Sequence, residues 1–103
     1  MKKLNIAIVG LGNIGSYLYN FLKKNKTEIY KKNNVIPNVV CVCAKNIKKK
    51  RSFTIPKKIW EKNYRKVVTR ADVDLIIELV GGSEGVAKNL VFSALKNKKH
   101  VIT

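Results

Sequence analysis

The chain has 103 residues, enough for one small domain, and at 46% hydrophobic and 27% charged residues it reads as a folded globular chain, not a disordered one. No apolar run approaches the roughly 18–20 residues of a membrane span, and the apolar stretch after Met1-Lys2-Lys3 lacks the small-residue cleavage site of a secretory leader. A net charge of +16, from 22 Lys+Arg against 6 Asp+Glu, raises nucleic acid or an anionic membrane as partners. Yet the lysines are scattered, few aromatics lie between them, and no reader motif forms. Lysine in excess of arginine, with abundant Asn and Ile, is what AT-rich codons produce. No specific nucleic-acid partner and no membrane association are expected, only weak nonspecific binding at low salt.

Leu4 to Val9 is an apolar run that predicts a first β-strand. Gly10-Leu11-Gly12-Asn13-Ile14-Gly15 follows at once, and an amphipathic helix is predicted from Asn13 to Asn25. Strand, glycine turn and helix in this order are the setting that the dinucleotide-binding fingerprint requires. Gly10 lets the chain turn off the strand, Gly12 lets backbone approach a pyrophosphate, and Gly15 lets the helix pack on the strand. The free N–H groups of the first helical turn then point at the phosphates. Ile14, Leu18, Phe21 and Leu22, with Tyr17 alongside, recur at helical spacing and are the expected core stripe. Lys26 to Pro37 is polar and reads as a loop, with the helix reaching some way into it.

Asn38 to Ala44 predicts a buried parallel strand, completing a right-handed βαβ unit. Cys41 and Cys43 fall on one face of it, too close for an ordinary disulfide. With a single histidine in the chain no four-ligand zinc site is available, so both read as small buried hydrophobes. Folds selective for NAD place an acid after this strand, on the ribose 2′-hydroxyl. Here the chain runs Lys45-Asn46-Ile47-Lys48-Lys49-Lys50-Arg51, with no acid between Glu28 and Glu61. Cations there would attract a 2′-phosphate, which favours NADP, with NAD still possible.

Ser52 to Thr69 is less legible. Lys57 to Arg65 is expected as a short helix with Ile59, Trp60 and Tyr64 on its apolar side, and Lys66 to Thr69 as an edge strand. Leu75 to Val80 predicts another buried strand, interrupted by Glu78 and closed by Gly81-Gly82-Ser83. A second glycine turn thus falls at a strand's carboxyl end, where open α/β sheets bind ligands. Glu78 either supports that site or is a strand-end acid paired with a lysine. Ser83 is the expected N-cap of a helix from Glu84 to Asn97, whose stripe is Ala87, Leu90, Val91, Ala94 and Leu95. His100 is expected in the loop beyond it, with no catalytic role, and Val101 to Thr103 opens a further strand. The fold class is α/β, a Rossmann-type doubly wound parallel sheet, and residues 1–103 form one nucleotide-binding domain.

Four segments in order, GLGNIG, AKNIKKKR, DVDLIIELVGG and KKHVIT, resemble the N-terminal nucleotide-binding domain of homoserine dehydrogenase. The family commonly has Arg-Asp where Lys45-Asn46 stands, and lysine keeps the charge but not the bidentate fork. The resemblance implies that Gly10, Gly12, Asn13, Ile14 and Gly15 hold the pyrophosphate and adjoining ribose. It places Lys45 at the 2′-phosphate, and Gly81, Gly82 and Thr103 along the nicotinamide side. It implies a cytoplasmic, homo-oligomeric oxidoreductase that interconverts L-homoserine and L-aspartate 4-semialdehyde on the way to threonine and methionine. In that family the last strand continues through Thr into Ala-Asn-Lys, and a further domain supplies the substrate's acid and lysine. The chain stops at Thr103, so it reads as the truncated nucleotide-binding part, inactive alone, with no catalytic residue assigned. Two alternatives stay open: another NAD(P)-dependent dehydrogenase domain, or a stand-alone nucleotide-sensing module without catalysis.

Overall fold

The structure is a computed structural model, described over residues 2–44, 55–80 and 86–102. Five strands form one all-parallel sheet in the order β3-β2-β1-β4-β5. They are β1 (Lys2–Val9), β2 (Val35–Cys43), β3 (Trp60–Glu61), β4 (Leu75–Glu78) and β5 (His100–Ile102). The helices are α1 (Asn13–Lys24), α2 (Lys26–Asn33), α3 (Tyr64–Val68) and α4 (Val86–Lys96).

Alternation along β1 sends Ile6 and Ile8 to one face and Ala7 and Val9 to the other. The first face packs with Val42 under Tyr19, Leu18 and Leu22 of α1. The second packs with Cys41, Cys43 and Ile76 under Val67 and Val68 of α3 and Leu90 and Ala94 of α4. The sheet is therefore covered on both faces, as parallel sheets require. A register shift between Ile6 and Ala7, paired with Val39 and Cys41, makes Val40 an extra residue in β2. Val40 and Cys41 consequently pack on the same face, and Cys41 and Cys43 are both free and buried there. Burial pushes both thiols up, that of Cys43 to about 12.

Several expected elements differ. Residues 26–33 are helix, not loop: α1 ends at Lys24, only Asn25 separates it from α2, and α2 is stopped by Asn34 in the left-handed region at φ 57°. No residue of α2 is buried, so no apolar stripe announced it. The second strand starts at Val35 and takes in Pro37, which pairs with Leu4 where β3 has not yet begun. Proline lacks an N–H and is tolerated at such an unpaired edge.

The expected helix over 57–65 is a 3-10 turn (Lys57–Ile59) followed by β3. The expected edge strand over 66–69 is instead the end of α3, capped by the Asn63 side chain, which accepts the Arg65 N–H at 3.0 Å. Val67 and Val68 are both buried, although their β-branched pairing reads as strand. The strand expected over 75–80, β4, ends at Glu78, and His100 lies in β5 instead of the preceding loop.

Candidate nucleotide-binding site

In a parallel sheet all strand ends of one kind share a rim. Here the chain leaves β1 at the carboxyl rim, at the point where strand order reverses: β2 and β3 lie on one side of β1, β4 and β5 on the other. Open α/β sheets have their ligand crevice at such a reversal.

Gly10 has φ +100°, a conformation that L side chains rarely adopt. A Cβ there would lie 2.7 Å from the Leu79 carbonyl carbon and 2.8 Å from the Val80 nitrogen, so the turn is pressed flat against the exit of β4. Its N–H donates to the Cys43 carbonyl at 2.8 Å, which ties the turn to the end of β2 as well. A Cβ on Gly15 would collide with the Gly10 carbonyl oxygen. This contact fixes the rotation of α1. Gly15 and Tyr19 face the sheet, with Leu18 and Leu22 beside them. Ile14 and Tyr17 therefore point to solvent, 72% and 71% exposed, and Phe21 is also exposed, stacked on Tyr17. The expected stripe is corrected at these three positions.

Gly12 behaves differently. It is exposed, and a Cβ there would meet nothing within 4 Å. It is the N-cap of α1 and, having no side chain, caps none of the N–H groups of the first turn, which contains no acid. Asn13 and Ile14 are exposed beside it. An open volume beside the first-turn amides, at the positive end of a 12-residue helix, suits a diphosphate in shape and in charge.

Of the sequence-predicted residues, the structure brings Gly10, Gly12, Asn13, Ile14 and Gly15 together in this turn. Lys45, Gly81, Gly82 and Thr103 lie outside the described residues, as does Ser83. The described neighbours of Lys45, Gly81 and Gly82 flank the turn on both sides: Cys43 at the end of β2, and Leu79 and Val80 just after β4. In α4, Leu90 and Ala94 are buried as expected, whereas Leu95 is exposed.

Sequence reasoning missed Glu61. It lies on β3 opposite Cys43, on the β2 side of the rim, and its carboxylate accepts the Lys62 N–H at 2.8 Å. The two-residue strand that carries it has no periodicity to read. Among the described residues no His/Cys/Asp/Glu group is arranged to hold a metal, and no helix is long and apolar enough to cross a membrane.

The family model of the homoserine dehydrogenase NAD binding domain matches residues 10–103. The homoserine dehydrogenase of Neisseria gonorrhoeae is 34% identical over all of this chain and 23% of its own length. That of Bacillus subtilis is 31% identical over all of this chain and 24% of its own length. A crystal structure of the Staphylococcus aureus homoserine dehydrogenase superposes with a TM-score of 0.87 at 33% identity, over 98% of this chain and 25% of that one. The enzyme from Thiobacillus denitrificans gives 0.85 at 31% identity, over 98% of this chain and 23% of that one. The chain thus spans about a quarter of the length of its relatives. By the family model and by these likenesses in sequence and fold, the chain belongs to the homoserine dehydrogenase NAD-binding domain family.

Proposed function

We propose that this chain is the nucleotide-binding part of a homoserine dehydrogenase and binds a nicotinamide dinucleotide, NADP in preference to NAD, at the Gly10–Gly15 turn. The observation that carries the reading is the exposed Gly12, an N-cap with no capping side chain and with open volume where one would stand. A pyrophosphate set there receives N–H groups and the helix dipole together. Reversal of strand order at β1 then lays one mononucleotide over the β2 end and the other over the β4 end. On the β2 side, Lys45 to Arg51 supply cations for a 2′-phosphate. Glu61 is the acid on that side, and its carboxylate is already engaged by the backbone of its own turn.

The nicotinamide ring supplies hydride donation and acceptance when bound. This chain's residues orient it: Gly10 holds the turn against β4, and Gly15 holds α1 against the turn. In the whole enzyme the reaction is the interconversion of L-homoserine and L-aspartate 4-semialdehyde. The acid–base groups for it belong to the further domain, in a cytoplasmic homo-oligomer. The 103-residue chain alone is expected to bind nucleotide and to show no turnover with homoserine.

Titration of NADPH and NADH into the wild type and Lys45→Glu tests the reading. Tighter NADPH than NADH binding, with the preference lost in the variant, is expected. Equal binding of the two in the wild type, unchanged by the substitution, removes the case for NADP.

A further inference from the structure

Glu78 ends β4 on the face where alternation places a core side chain: Ile76 is fully buried, and Glu78, two residues on, is 5% exposed. Among the described residues it is the one buried side chain of polar or charged type. An aliphatic residue would fill the position without the desolvation cost of a carboxylate, so packing alone does not account for it.

What the carboxylate holds is specific. Its Oε2 accepts the Val80 N–H at 2.6 Å. The preceding Leu79 N–H donates to the Val9 carbonyl at 2.8 Å. The Leu79–Val80 peptide also lies flat against Gly10, where a Cβ would come within 2.7–2.8 Å of it. The exit of β4 is thus held at three points: by β1, by the glycine turn and by Glu78. Charge-assisted hydrogen bonds of this kind are the stronger ones, and they set direction as well as energy.

Resting on the dinucleotide reading above, we propose that Glu78 is a positioning residue for the nicotinamide half of the bound nucleotide. It touches neither ring nor phosphate. It fixes the Leu79–Val80 peptide at the exit of β4, and so the rim beside the glycine turn on which the second mononucleotide rests. The adenosine half lies across β1 over β2, and Glu78 has no part in holding it.

The prediction is a selective loss. Affinities for NADPH and for adenosine 2′,5′-bisphosphate, which lacks the whole nicotinamide mononucleotide, are measured for wild type, Glu78→Gln and Glu78→Ala, with thermal melts alongside. Gln keeps an acceptor oxygen and is expected to bind both ligands within about threefold of wild type. Ala is expected to lose about tenfold for NADPH, and less than about twofold for adenosine 2′,5′-bisphosphate. Glu78→Asp, which keeps the charge but is one methylene too short, is expected to share the selective loss and stands in should the Ala variant not fold. Equal losses for both ligands would make Glu78 a general structural residue and overturn the proposal. Unchanged NADPH affinity in Ala and Asp overturns it too, with the nucleotide reading intact. If the wild type binds neither ligand, both readings fall.

Discussion

Substituting Gly12 by alanine separates binding from folding, because the three fingerprint glycines have different surroundings. A methyl group on Gly12 meets nothing within 4 Å, and the residue's φ of −78° is open to alanine. The cost to stability is only that of a poorer N-cap, about 0.5–1 kcal/mol. For a domain this size that lowers the melting temperature by roughly 2–8 °C. The same methyl group occupies the volume assigned to the pyrophosphate. Pushing a phosphate outward by about 1 Å breaks one or two charge-assisted hydrogen bonds of about 1.5–3 kcal/mol each. NADPH affinity should fall by roughly 10- to 100-fold or more.

Gly15→Ala is the control. Its Cβ would collide with the Gly10 carbonyl oxygen and lie 3.1 Å from the Gly10 carbonyl carbon, and both are backbone atoms. Overpacking of about 3 kcal/mol, offset by about 1 kcal/mol of helix propensity, leaves a net loss of about 2. The melting temperature should drop by roughly 8–16 °C. Thermal melts and nucleotide fluorescence titrations on the two variants give the comparison. Wild-type affinity in Gly12→Ala, or a melting temperature depressed as far as in Gly15→Ala, would refute the reasoning.

Two further outcomes concern the scaffold. Lys98 holds a left-handed conformation at φ 59° after α4, where the Lys99 N–H donates to the Ala94 carbonyl at 2.9 Å and the Lys98 N–H to that of Leu95 at 3.0 Å. Lys98→Gly should stabilise the chain by about 1 kcal/mol, read as a higher urea midpoint with an unchanged slope. Cys41 and Cys43 are buried, and burial pushes the Cys43 thiol up to about 12. At neutral and mildly alkaline pH neither should be alkylated by iodoacetamide in the native chain, and both should react once it is denatured, as intact mass would show.

What was legible in the sequence follows from where burial imposes a pattern. Leu4–Val9, Asn38–Ala44 and Leu75–Val80 are near-continuous apolar runs because both sheet faces are covered. All three are strands, with ends moved by a few residues. The glycine turn was legible because each glycine answers a separate geometric demand. α2 was not, since it buries nothing. β3 was not, because two residues carry no period, and Val67-Val68 looked like strand by their β-branching, whereas the Asn63 cap just ahead of them starts a helix. The rotation of α1 was misjudged for a different reason. Apolar spacing suggested Ile14, Tyr17 and Phe21, but the contact between Gly15 and Gly10 decides which side faces the sheet. Steric exclusion between backbones outweighed hydrophobic periodicity there.

Backbone amide chemical shifts followed during titration with NADPH address the pyrophosphate cradle most directly. The largest changes should fall on the amides of Gly12, Asn13, Ile14 and Gly15, with smaller ones at Gly10 and Val80. Saturable binding that leaves those amides unmoved, or shifts instead confined to lysines at the opposite rim of the sheet, would contradict it.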